Sequence, residues 1–169
     1  MRRLRGREVG CAVCGAEATI KTPSPVEGPS HDGCMATTID QNPDLPPLPP
    51  SCHASATDYA SARASGDFLL LDVRSELQFD LCHLPEALSV PLASLKESMA
   101  VIEAAAAEKD GVYCICRRGI DSQVAARLLH KEVQEGNFGA GKIKAEQIRH
   151  VKGGLLAWGA SVDDSFPSF

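Results

Sequence analysis

Apolar residues along this chain fall into short runs separated by amphipathic or polar stretches, and the period of the pattern changes from run to run. The segment VYCIC, Val112 to Cys116, is apolar and rich in β-branched and aromatic side chains, which predicts a buried strand. Just beyond it, Val124, Ala125, Leu128 and Leu129 recur at helical spacing, with Asp121 and Ser122 ahead of them as candidate caps. The same alternation runs through the preceding residues. SATDYASARASG, residues 55–66, predicts a short helix stopped at Gly66, and DFLLLDV, residues 67–73, a buried strand. Ser75 caps a brief helical turn through SELQFDLC, HLPEA bends at Pro85, and ALSVP, residues 87–91, reads as a second short strand. A helix is predicted from Ser94 to about Lys109, with Glu97 three residues on as a capping box and Gly111 closing it. After the glycine-rich turn EGNFGAGK, residues 147–151 predict a last strand and GGLLAWGASVD a last helix, before the tail DDSFPSF.

Strands alternating with helices predict an α/β fold: a small parallel sheet flanked by helices on both faces. In such sheets the reactive site lies beyond the carboxyl ends of the strands, and Cys116 stands at one such end. Ahead of the fold the composition shifts. Residues 21–54, with TPSPVEGPS and NPDLPPLPPS, are rich in proline, glycine and serine and predict a disordered linker, extended where prolines cluster. PPLPP reads either as stiff spacer or as a polyproline ligand. The domain is placed at residues 55–169 and a separate short segment at residues 1–20.

Totals narrow the field. With 44% apolar and 23% charged residues among 169, the composition is that of an ordinary globular protein. A net charge of −5 gives no support for nucleic-acid binding. No apolar run approaches the ~18–20 residues that span a bilayer, so no membrane role is expected. MRRLRGR at the start lacks the apolar centre of a secretory signal, leaving a transit peptide as the other reading. Seven cysteines, odd and scattered, fit a reducing compartment such as the cytoplasm, with thiols serving as ligands or nucleophiles. Cys11 and Cys14, in CAVCG, have the spacing of half a zinc site, and the alternative is a pair of idle thiols.

The candidate chemistry lies in the loop CRRGIDS, Cys116 to Ser122. A cysteine where a strand hands over to a helix faces backbone N–H groups and the positive end of the helix, which stabilise an anionic sulfur. Arg117 and Arg118 add positive charge, or are solvated loop residues; Gly119 permits the turn. Such a sulfur can attack phosphorus, attack a carbonyl carbon or carry sulfane sulfur as a persulfide. Cysteine-dependent phosphatases place an arginine six residues past the nucleophile, where this chain has Ser122. A papain-like site needs a histidine delivered by a second lobe, which a small sheet does not offer. Persulfide chemistry needs only the cradle. Asp72 and Arg74, at a strand end near the loop, read as structural hydrogen-bonding partners, and Cys114 as a buried thiol on the face of Cys116.

LLLDVRSELQFDLCHLPEALSVPL, CRRGID and HVKGGLLAWGA resemble, in order, the strand-end Asp-Val-Arg with its His-Leu-Pro turn, the six-residue active loop and the closing glycine-glycine helix of rhodanese-like domains. A narrower resemblance is to the molybdopterin-synthase sulfurtransferases, which join an adenylyltransferase to a C-terminal rhodanese-like domain. It rests on CAVCG before a long linker, on Asp121 closing the loop and on the ending DDSFPSF. The bulk of an adenylyltransferase domain has no counterpart in these residues, so residues 1–20 read as its zinc-binding end. The resemblance implies a sulfurtransferase with Cys116 as the sulfur carrier and Arg117, Arg118, Gly119, Ile120, Asp121 and Ser122 lining the substrate. It implies a rhodanese-like domain without cofactor, zinc at Cys11 and Cys14, a cysteine-desulfurase-type donor, an adenylyltransferase partner and a ubiquitin-like sulfur carrier. Such carriers serve molybdopterin synthesis and tRNA wobble-uridine thiolation. The alternative is a non-catalytic module that binds a partner through the same surface.

Overall fold

A computed structural model describes residues 45–139 and 142–167 of the chain. Along them follow β1 (His53–Ala54), α1 (Ala56–Ser65), β2 (Leu69–Asp72), α2 (Glu76–Leu81), β3 (Ala87–Ser89), α3 (Met99–Ala106), β4 (Val112–Ile115), α4 (Ile120–Gln134), β5 (Ile148–Val151) and α5 (Gly154–Ser161). Among the described residues the strands form one sheet in the order β1-β5-β4-β2-β3. Every pairing is parallel, with Leu71 opposite Cys114 and Cys114 opposite His150. The central position of β4 puts its carboxyl end in the middle of one sheet edge.

Side chains alternate across the sheet and divide the core in two. Leu69, Leu71, Val73, Val112, Cys114 and Cys116 face α3 and α4, against Ile102, Ala125, Ala126 and Leu129. Leu70, Tyr113, Ile115 and Val151 face α1 and α5, against Tyr59, Leu155 and Trp158. Both faces are therefore covered, as the continuous apolar runs of β2 and β4 require. Burying a side chain of leucine size contributes about 1.5–3 kcal/mol, so Leu70 and Leu71, both 0% exposed, make β2 a main stabilising strand.

Capping sets the shorter elements. At α1 the Ser55 hydroxyl accepts from the Asp58 N–H at 3.0 Å, and the Asp58 carboxylate accepts from the Ser55 N–H at 2.9 Å. At α2 the Ser75 hydroxyl accepts from the Gln78 N–H at 3.4 Å.

Several expectations are corrected. α3 starts at Met99, not Ser94; Leu92–Ser94 is a 3-10 turn. The Ser94 hydroxyl donates to the Pro91 carbonyl at 3.1 Å within that turn, and the chain turns to bury Leu95 completely. Asp121 and Ser122 lie inside the first turn of α4, because Gly119, at φ +84°, supplies the N-cap by its backbone alone. The strands are each trimmed at their ends relative to the apolar runs. Residues 45–54, read as the end of a linker, pack on the domain. Leu45, Leu48 and Cys52 are buried, and the guanidinium of Arg127 on α4 donates to the carbonyls of Pro46, at 2.9 Å, and Leu45. Two leucines among prolines give no period, so nothing in their pattern announces this contact. The rest of the predicted linker and the 1–20 segment lie outside the described residues.

Candidate active site

Cys116 follows β4 directly and is 1% exposed. Its sulfur accepts a hydrogen bond from the Gly119 N–H at 3.1 Å and lies 3.6 Å from the hydroxyl of Ser122, which is 0% exposed. The first turn of α4 thus curls over the thiol, presenting an amide hydrogen, a hydroxyl and the positive end of a fifteen-residue helix.

The turn depends on glycine. A Cβ at Gly119 would stand 2.6 Å from the Gly153 nitrogen, so the loop and the start of α5 touch backbone to backbone. A Cβ at Gly154, where φ is +58°, would stand 2.1 Å from the Cys116 carbonyl oxygen. That closeness lets the first turn of α5 bind the loop. The Leu155 N–H donates to the Cys116 carbonyl at 2.9 Å, and the Leu156 N–H to the Arg117 carbonyl at 3.1 Å. Reading the sequence for chemistry alone missed these amides; the signal that could have found them is Gly153-Gly154, two adjacent residues able to adopt positive φ at the start of a helix.

Of the remaining predicted loop residues, Arg117 is half-buried, whereas Arg118, Ile120 and Asp121 are exposed at the mouth. Asp72 and Arg74 are not part of the cradle. They form a buried ion pair at the end of β2, each 1% exposed in its side chain, with the Arg74 Nη2 2.6 Å from the Asp72 carboxylate and 2.7 Å from the Cys82 carbonyl. Their role is to fix the turn from β2 into α2 beside the loop. The His83 Nδ1–H donates to the Phe79 carbonyl at 2.9 Å, and the ring stacks on that of Phe79, which closes the same bend.

Cys114, wholly buried on the face of Cys116, has its thiol pushed far up by burial and then by the neighbouring Cys116 sulfur. It stays protonated near neutrality and does not compete as a nucleophile. Among the described residues no group of three or more His, Cys, Asp or Glu side chains is placed to hold a metal ion. Cys11 and Cys14 lie outside the described residues. No helix among them is long and apolar enough to cross a membrane.

Residues 55–161 match the rhodanese-like domain family. The chain is 34% identical over 181 residues to the adenylyltransferase and sulfurtransferase MOCS3 of Sus scrofa, covering 99% of this chain and 37% of that protein. It is 30% identical over 190 residues to the Dictyostelium discoideum protein of the same name, covering 99% of this chain and 43% of that one. The chain therefore spans less than half the length of these curated relatives. In fold it is similar to Saccharomyces cerevisiae Ygr203w, described as a homologue of single-domain rhodanese and the Cdc25 phosphatase catalytic domain. That similarity has a TM-score of 0.52 and 17% identity, and covers 67% of this chain and 82% of that one.

Proposed function

The chain belongs to the rhodanese-like domain family, and from that premise we propose that it is a sulfurtransferase carrying sulfane sulfur on Cys116 and delivering it to a ubiquitin-like sulfur carrier. The observation that carries this reading is the seat of the thiol. Cys116 stands where β4 meets α4, its sulfur accepting from the Gly119 N–H at 3.1 Å and its S–H facing the Ser122 hydroxyl oxygen at 3.6 Å.

In the first half-reaction the Cys116 sulfur attacks the outer sulfur of a persulfide donor of the cysteine-desulfurase type. The donor's S–S bond breaks, its inner sulfur leaves as thiolate, and a new S–S bond forms on Cys116 with no net oxidation. In the second, the terminal sulfur attacks the adenylated C-terminal glycine of the carrier, and AMP leaves as the C–S bond forms. A thiol then cleaves the resulting acyl disulfide, freeing the thiocarboxylate and leaving a disulfide on the enzyme. Arg117 and Arg118 attract the anionic reactants, and Gly119, Ile120 and Ser122 shape the cradle. Adenylation belongs to an adenylyltransferase, of which residues 1–20, with zinc at Cys11 and Cys14, form the end in this reading. Residues 21–44 are the linker, and residues 55–169 the sulfur-transfer domain with 45–54 bound to it. The carriers are those of molybdopterin synthesis and tRNA wobble-uridine thiolation, in the cytoplasm.

Ser122 stands against the phosphatase reading, because it occupies the place of the phosphate-clamping arginine and its hydroxyl oxygen accepts from the thiol. The test is transfer. The persulfide-loaded chain, mixed with an adenylated ubiquitin-like carrier and a reducing thiol, should convert the carrier to its thiocarboxylate, seen as the mass change from oxygen to sulfur. A loaded Cys116 that leaves the carrier unchanged refutes the assignment of the acceptor.

A further inference from the structure

The tail that follows α5 folds back along it. The Val162 and Asp163 N–H groups both donate to the Trp158 carbonyl, at 2.9 and 3.2 Å, and end the helix. The Asp163 carboxylate then accepts from the Ser165 N–H at 3.1 Å and from its hydroxyl at 2.5 Å. With the Phe166 N–H donating to the Asp163 carbonyl at 3.0 Å, this closes a tight turn. The turn brings the Phe166 ring against the core cluster that contains Leu155 and Trp158. Phe166 and Pro167 line one cleft with Leu155 and Leu156.

α5 has little order of its own. It is eight residues long, contains Gly154 and Gly159, and begins at Gly153 with no side-chain cap. Helices shorter than about 12–15 residues are marginal in isolation, and each glycine weakens them further. Packing must therefore hold its first turn in place, and that turn supplies the Leu155 and Leu156 amides that grip the carbonyls of Cys116 and Arg117.

We propose that Phe166 is a positioning residue for Cys116: its ring seats α5 so that the Leu155 and Leu156 amides fix the active loop. The effect on sulfur transfer rests on the function proposed above, whereas the effect on the loop does not. Phe166 touches no reacting atom. It acts on the maximal rate through the placement of the thiol and leaves donor affinity alone.

The test compares the full chain with Phe166→Ala and Phe166→Leu. Three quantities are measured at a temperature where each is folded: amide exchange at Gly119, Leu155 and Leu156, alkylation of Cys116 by iodoacetamide, and single-turnover sulfur uptake against donor concentration. In Phe166→Ala, exchange and alkylation should accelerate about tenfold, and the maximal uptake rate should fall by about tenfold to a hundredfold at unchanged half-saturation. Phe166→Leu, which keeps most of the apolar volume but not the ring, should shift each in the same direction by about twofold to threefold. Wild-type exchange, alkylation and maximal rate in Phe166→Ala, with only its melting temperature lowered, overturn the proposal. Where Phe166→Ala does not fold, a graded loss in Phe166→Leu supports it and wild-type behaviour there overturns it. If the unaltered chain takes up no sulfur, the sulfurtransferase reading fails, and exchange with alkylation still decide the role of Phe166.

Discussion

Gly154→Ala separates the geometry of the loop from the fold that carries it. A methyl there would sit 2.1 Å from the Cys116 carbonyl oxygen and 2.8 Å from the Arg117 carbonyl carbon and oxygen. Ordinary packing leaves heavy atoms about 3.5 Å apart, so the loop or α5 must retreat by roughly 1 Å or more. Both hydrogen bonds between them, from Leu155 and Leu156, stretch with that movement. Alanine at a positive φ adds its own cost of about 1–2 kcal/mol. Gly136→Ala isolates that second cost: Gly136 has φ +75° and nothing within 4 Å of the Cβ position. Both variants should lose about 1 kcal/mol or more in urea unfolding, Gly154→Ala the more. Sulfur uptake by Cys116, followed by mass in single turnover, should fall about a hundredfold in Gly154→Ala and stay near wild type in Gly136→Ala. Equal uptake by the two variants would refute the idea that close approach of α5 sets the loop.

Three other outcomes are expected. His150 is 1% exposed, with its Nε2 2.6 Å from His53 Nδ1, and its pKa is lowered from 6.5 to about 4 by burial, then by His53 and Lys152. The unfolded chain therefore binds the proton more readily between those values, so stability is retained above about pH 6.5 and drops by on the order of 3 kcal/mol by pH 4; urea titrations of His150→Gln should show a flatter profile. Arg74→Met leaves Asp72 buried without its partner and should cost about 3–5 kcal/mol in denaturant unfolding, while a loss under 1 kcal/mol would mean the pair is solvated. Asp121, exposed at the mouth of the loop, should repel a dianion; Asp121→Arg should raise thiosulfate turnover on the order of fivefold at low salt and less at high salt, and an unchanged rate would remove it from donor selection.

The architecture was legible where burial is two-sided. Strands such as Leu69–Asp72 and Val112–Ile115 are buried throughout and nearly all apolar because both faces are covered, and the polar-apolar helices between them carry the crossovers. The place of Cys116 between a strand and a helix was legible, since the apolar run and the helical spacing on either side of it leave one position between them. Long-range backbone contacts were not. Gly153 meets Gly119 and Gly154 meets Cys116 across long stretches of chain, and the Leu155 and Leu156 amides carry no side-chain signature. β1 is two residues long and is held to β5 by parallel pairing with His150 and Val151, a contact without local pattern. Ser94 and Glu97 had the spacing of a capping box, yet burial of Leu95 took the chain another way. Leu48 and Cys52, among prolines and serines, joined the core for reasons visible only in three dimensions.

The most direct measurement is the mass of the peptide bearing Cys116 after the full chain meets a protein persulfide donor. A gain of one sulfur atom on Cys116, removed by a reducing thiol and absent in Cys116→Ser, is the predicted result. Sulfur found on Cys52, Cys82 or Cys114 instead, or on no cysteine at all, would contradict it.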